Sequence, residues 1–369
     1  MGCIVGRRFE IRTAPRGFSV QFVVVDSAHG WLARSVVDRL AAHGAEVITA
    51  PGRTSGNPTN DAAADRRPDL VADRVIDAVV LFAPGATDEI DGTGSGGTDV
   101  SVARTCLDGL DAAHVRHVVV LSSAMVYGAE ADRPIPMTEA QPVDPSPGCL
   151  HAAARVELES LAAAWGSARG VPVTLLRPCV VVGSRREHRR WFAASLWCRS
   201  TARHGDADPP AQLLALSDLA AAVVHALGLT ESERGVPYNV APDGWITTED
   251  HMDVAGRRGV RIPEPAAGAS SRLRWRLGLS STPADALPYA MEPWVVANDR
   301  FRATGWAPAL SNDEALVAVT NAGWWASKSS RRRQELALGG SVGGLALAAA
   351  AIGVAIRQAR GRVSSSGPG

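Results

Sequence analysis

Residues 118–128 read Val-Val-Val-Leu-Ser-Ser-Ala-Met-Val-Tyr-Gly, an apolar strand that ends in two hydroxyls and, four residues after the second, a phenol. Such a strand end can present Ser122 and Ser123 to a ligand, with Ser123 able to hydrogen-bond a reacting oxygen. The chain has three tyrosines, Tyr127, Tyr238 and Tyr289, and one lysine, Lys328, so no Tyr-x-x-x-Lys pair can be written. Any chemistry that needs a phenol activated by an ammonium one helical turn away is absent from this chain.

The elements that position those hydroxyls alternate. Apolar runs at 18–25, 45–50, 77–83, 117–122 and 171–176 read as strands, and helical spacing at 31–43, 100–113 and 151–165 falls between them. Strands alternating with helices predict an α/β fold with a parallel, doubly wound sheet. Glycine- and proline-rich stretches at 51–67 and 92–97 are expected as mobile loops. Beyond about Arg185 the texture changes, and eight of the ten tryptophans fall between Trp191 and Trp325 among proline-rich connections. A smaller, irregular lobe lying against the sheet is expected there.

Bulk properties exclude several classes. Thirty-eight basic residues balance thirty-eight acidic ones, so no field favours a nucleic acid, and 46% hydrophobic with 21% charged residues is ordinary globular composition. Five cysteines without any Cys-x-x-Cys argue against a disulfide framework or zinc site and for reduced thiols. Residues 1–17 carry arginines but no apolar run long enough for a signal peptide, and are expected to be a disordered extension of a cytoplasmic protein. Residues 336–356 are uncharged and flanked by arginines; as a helix they would span about 31 Å, close to a bilayer core of about 30 Å. A membrane anchor is therefore expected in the tail, with Gly339-x-x-x-Gly343 and Gly340-x-x-x-Gly344 allowing helix pairing and a homodimer.

The turn Val23-Val24-Val25-Asp26-Ser27-Ala28-His29-Gly30-Trp31-Leu32-Ala33 sits where a strand meets a helix N-terminus, a place suited to a pyrophosphate. Taken in order with Ser122–Gly128, Leu176-Arg177-Pro178 and Gly183, Leu216-Ser217-Asp218-Leu219-Ala220, and Tyr238-Asn239-Val240, it resembles the extended short-chain dehydrogenase/reductase superfamily, and within it the NAD-dependent epimerase/dehydratase group. The resemblance covers roughly residues 18–320.

That resemblance implies a Rossmann domain at 18–184 holding NAD or NADP, mainly a substrate lobe at 185–330 for a nucleotide-sugar, and the tail at 331–369. It carries cofactor contacts onto Ser27, Gly30, Trp31, Leu32, Ala83 and Ser122, with Arg53 either meeting a 2′-phosphate or lying free in a loop. The family's Thr-Gly-x-x-Gly-x-x-Gly becomes Asp26, Ser27, Gly30 and Ala33, with only the middle glycine kept. Ser123 falls on the family's catalytic serine. Glu159 falls on a common acidic position, which places Arg155 where the lysine belongs and His151 where the tyrosine belongs; a shifted alignment offers Cys149 instead. Ser101 replaces a structural asparagine.

A free imidazole titrates at about 6.5 and could take a proton in place of the phenol, with Arg155 offering donors to ribose hydroxyls. The plain alternative makes His151 a half-buried helix residue and Arg155 a surface cation. Arg185 and Arg186 could clamp a diphosphate or be part of a solvated charge run. Two functions follow: an oxidoreductase or epimerase acting on a nucleotide-sugar, or a non-catalytic, membrane-tethered binding or scaffold protein.

Overall fold

A computed structural model describes residues 22–25, 31–49, 76–82, 96–110, 114–183, 202–204, 209–247, 260–262, 264–276 and 284–320. Strand β1 (Phe22–Val25) leads into helix α1 (Trp31–Ala42), and β2 (Glu46–Thr49) returns beside it. Next come β3 (Ala78–Phe82), α2 (Gly96–Asp108), β4 (Val118–Leu121), α3 (Leu150–Arg169) and β5 (Val173–Pro178). The short strands β6 (Val180–Val182), β7 (Ala202–His204) and β8 (Leu213–Ala215) precede α4 (Leu216–Leu227) and β9 (Pro237–Val240). Strand β10 (Val260–Ile262) and helices α5 (Glu264–Arg276), α6 (Pro288–Met291), α7 (Asp299–Ala303) and α8 (Asn312–Thr320) follow.

Six strands form one parallel sheet in the order β2-β1-β3-β4-β5-β9. The order reverses between β1 and β3, and in such sheets ligands bind outside the carboxyl ends of the strands at this switch. Every side chain of β3 and β4 is buried, as expected of strands covered by helices on both faces. Helices α2 and α3 pack against each other over one apolar cluster, while α1 and α4 belong to the other. The last strand of the sheet, β9, comes from the half of the chain read as mainly a lobe.

Several boundaries differ from the sequence reading. Helix α2 begins at Gly96, inside the stretch expected to be a mobile loop, because Val100, Ala103 and Leu107 bury one face and offset a glycine cost of about 1 kcal/mol per residue. Helix α3 runs four residues past Trp165, to Arg169. It continues through Gly166 because a Cβ there would lie 2.6 Å from the Val171 carbonyl oxygen, so only glycine lets the helix approach β5 this closely. Strand β5 extends through Arg177, a buried charge in an apolar run.

Among the described residues no helix is long and apolar enough to cross a membrane. The expected anchor at 336–356 and the extension at 1–17 lie outside the described residues, as do the loop at 51–67 and residues 92–95 of the second glycine-rich stretch. Cys106, Cys149 and Cys179 are not joined in disulfides.

Candidate functional site

Strand β4 delivers Ser122 and Ser123 to the carboxyl edge of the sheet. Ser122 is buried, and its hydroxyl has no hydrogen-bond partner among the described residues. Ser123 caps the 3-10 turn Ala124–Tyr127: its Oγ accepts the Met125 N–H at 3.2 Å. Gly128 ends the turn at a φ of 79°, a conformation L side chains rarely adopt. All four residues of the turn are buried, so the half-buried Ser123 is its accessible end.

Helix α3 packs against this turn and carries His151, Arg155 and Glu159 at a spacing of four residues. His151 is half-buried, whereas Arg155 is 2% exposed and Glu159 6%. Arg155 is therefore an interior residue, which corrects the surface-cation alternative. Burial of the imidazole, and then the Arg155 charge beside it, lower the His151 pKa to about 3. Both causes favour the neutral ring over the imidazolium and make it a weaker base than a free imidazole.

Glu159 anchors a network that the sequence did not reveal. Arg177 donates through Nε to Glu159 Oε1 at 2.9 Å and through Nη2 to Glu159 Oε2 at 2.6 Å. Its Nη1 donates to the Tyr127 hydroxyl at 2.8 Å, and the guanidinium carbon lies 4.9 Å from the centre of that ring. The Tyr127 hydroxyl donates onward to Asn239 Oδ1 at 2.9 Å, and Asn239 donates through Nδ2 to the Met137 carbonyl and through its backbone N–H to Glu139 Oε1. Burial would lower the Arg177 pKa, but the bidentate Glu159 carboxylate outweighs it and holds the guanidinium charged. Burial raises the Tyr127 pKa, and Arg177 does not reverse this. Tyr127 thus remains a protonated phenol whose one donor is committed to Asn239.

A second phenol reaches the same turn from α6. Tyr289 is fully buried, donates to the Met125 carbonyl at 2.7 Å and accepts the Ser146 N–H at 3.1 Å. Its pKa is pushed up to about 12, chiefly by burial. Cys149, the alternative offered by a shifted alignment, precedes α3 as a buried thiol raised to about 11, also chiefly by burial.

The cofactor positions are described in part. Trp31 opens α1, and Leu32 and Ala33 are fully buried, so these two would meet a pyrophosphate through their backbone N–H groups, and Ala33 fits where the last glycine was expected. Ser27, Gly30, Arg53, Ala83, Arg185 and Arg186 lie outside the described residues. A strand that turns into a helix beside the switch point, with the orphaned Ser122 hydroxyl nearby in the sheet order, fits a dinucleotide.

Arg177 and Asn239 could have been found from the sequence, since each is a polar residue inside an apolar strand run; nothing local marks Tyr289.

The model of the NAD dependent epimerase/dehydratase family matches residues 24–241, and the chain belongs to that family. Its fold is similar to that of the Thermotoga maritima UDP-glucose 4-epimerase solved with UDP-glucose (TM-score 0.60, 15% identity, 84% of this chain and 100% of that one). It is similar as well to the Thermus thermophilus UDP-glucose 4-epimerase in complex with NAD (TM-score 0.59, 18% identity, 82% and 98%). A third similar structure is the Streptomyces venezuelae dTDP-glucose 4,6-dehydratase with NAD bound (TM-score 0.58, 20% identity, 83% and 99%). No curated protein matches the chain in sequence.

Proposed function

We propose that this family member binds NAD or NADP together with a nucleotide-sugar-type ligand and does not turn the sugar over by the family's phenol-and-ammonium route. One observation carries the reading: both phenols at the Ser123 turn spend their hydroxyl protons inside the protein, Tyr127 on Asn239 and Tyr289 on the Met125 carbonyl. His151 is held at about 3, Tyr289 at about 12, and the Tyr127 phenol is raised above its ordinary value while donating to Asn239. General acid–base catalysis works best with a pKa near the working pH.

The groups that would hold the dinucleotide are the backbone of Ser27, Gly30, Trp31 and Leu32 at the helix N-terminus, Ser122 and Ala83 at the strand ends, and Arg53 for a 2′-phosphate. When bound, nicotinamide supplies a hydride acceptor. Ser123 would orient a sugar hydroxyl, and Arg185 and Arg186 would meet the diphosphate. The nucleotide-sugar class is supported by the similar structures, two of which are named UDP-glucose 4-epimerase and one dTDP-glucose 4,6-dehydratase.

The test is to purify the full chain and measure binding of NAD, NADPH, UDP-glucose and dTDP-glucose by calorimetry, then look for epimerised sugar or reduced cofactor over a day. Binding without product is the expected result. Product formation by the wild type that disappears in His151→Phe and in Ser123→Ala would overturn this reading and establish the second one, catalysis by a His151–Arg155 dyad. That second reading is supported by one feature, the four-residue spacing of both residues on α3, the helix that packs against the Ser123 turn.

We further propose that 336–356 tethers the globular part to the inner face of the cytoplasmic membrane, leaving room for helix-paired dimers. Recovery of the full chain from the soluble fraction after gentle lysis would refute the tether.

A further inference from the structure

We propose that Tyr289 is a positioning residue for the ligand site: its single hydroxyl fixes the Ser123 turn relative to the first turn of α3. The inference rests on the binding function proposed above. The hydroxyl uses both of its capacities on different elements. It donates to the Met125 carbonyl, inside the turn that Ser123 caps, at 2.7 Å, and it accepts the N–H of Ser146, four residues before α3 begins, at 3.1 Å. The Met125 carbonyl also accepts the Gly128 N–H at 3.1 Å, so Tyr289 tightens a turn that is already closed on itself.

The rest of the surroundings makes this link stiff. The Ser146 hydroxyl accepts the Ala129 N–H at 2.9 Å, tying the same segment to the far end of the turn. The Tyr289 ring is held edge-on by Trp294 at 5.5 Å, and Trp294 Nε1 donates to the Tyr289 carbonyl at 2.8 Å. Asp285 Oδ2 accepts the Leu150 N–H at 3.4 Å at the start of α3. The segment around α6 therefore reaches the Ser123 turn and the start of α3, and the phenol bridges that turn to the segment leading into the helix. Small misplacements at such a junction move the angle between a serine hydroxyl and a helix face, which is what a bound sugar would read.

Tyr289→Phe removes the hydroxyl and keeps the ring against Trp294. In the full chain we expect faster amide exchange at Ser146 and a UDP-glucose affinity about three- to tenfold weaker, the usual weight of one hydrogen bond. NAD affinity is expected to change by less than about twofold, since a lost contact distant from the dinucleotide adds little. The decisive comparison is a cycle with Ser123→Ala: once the serine hydroxyl is gone, Tyr289→Phe should weaken UDP-glucose no further. Ser146→Ala keeps the amide that Tyr289 binds but loses the tie to the Ala129 N–H, and should weaken UDP-glucose by clearly less than Tyr289→Phe does.

Unchanged UDP-glucose affinity in Tyr289→Phe overturns the inference alone. Additive losses with Ser123→Ala, or an equal loss in Ser146→Ala, also overturn it, because they mark general loosening. Wild-type protein that binds neither nucleotide overturns the binding function and this inference with it.

Discussion

The two ends of strands β4 and β5 are built on opposite plans. At the carboxyl end a charged cluster, Glu159–Arg177–Tyr127–Asn239, is buried with every named contact made. At the amino end His117 is fully buried: Nε2 meets Thr174 Oγ1 at 2.8 Å, while Nδ1 has no partner among the described residues. Thr174 Oγ1 also accepts the Gly235 N–H, so a neutral cluster joins three strands there. The difference teaches that burial alone does not set a group's charge. A bidentate counter-ion keeps Arg177 ionised, and its absence leaves His117 neutral, with a pKa lowered to about 3 by burial and then by Arg234.

Breaking the charged end should cost most. Arg177→Met leaves the Glu159 carboxylate buried without its cation and Tyr127 without its donor, and is expected to lower unfolding free energy by about 3–5 kcal/mol in urea titrations. Adding Glu159→Leu should recover most of that loss, since a well-packed apolar pair can replace a buried ion pair. A double variant as unstable as the single one would mean that the network, not the stranded charge, sets the cost.

The amino end relies on close packing, and Gly166→Ala should cost about 1–3 kcal/mol by forcing α3 away from β5. Circular dichroism melts read this directly, and an unchanged midpoint would show that the helix can shift without penalty.

Acid should sharpen the contrast next. The unfolded chain protonates His117 and His151 near 6.5, whereas the folded chain resists until about 3, so between those values the unfolded state binds more protons. Stability is therefore highest above about pH 6.5 and is lost as pH falls toward about 3. His117→Leu is expected to flatten that slope in urea midpoints taken across the range; an equally steep slope would place the acid sensitivity elsewhere.

The smallest effect belongs to Ser122→Ala, which removes an orphaned buried hydroxyl. Without ligand the change should stay within about 0.5–1 kcal/mol and can be stabilising. NAD affinity should nevertheless fall in calorimetry, and a variant that binds NAD as the wild type does would remove Ser122 from the cofactor contacts.

How much of this was legible follows from sequence distance. The valine runs of β3 and β4 and the spacing of α1 announce themselves within a few residues, because burial on both faces writes a continuous apolar string. The His151, Arg155 and Glu159 positions came instead from the family resemblance, which sets them four residues apart on one helix. Their electrostatics were not legible: a neutral His151 follows from density around the ring, which no local pattern encodes. Tyr127 finds its acceptor 112 residues away and Tyr289 its carbonyl 164 residues away, so both phenols looked unassigned until the chain was folded. The helix was read only to Trp165 because the β5 side chains that demand Gly166 lie beyond the next turn.

The sixth strand has a consequence for how the chain is made. Leu175–Pro178 pairs with Pro237–Val240, and Asn239 is the acceptor for the Tyr127 phenol. A nascent polypeptide that has just left the ribosome at Gly183 would hold five strands of the main sheet, one raw sheet margin and a buried hydroxyl still looking for its mate. Roughly sixty further residues must emerge before that margin is covered, so proteases and chaperones would meet the first half of this protein as an unfinished object.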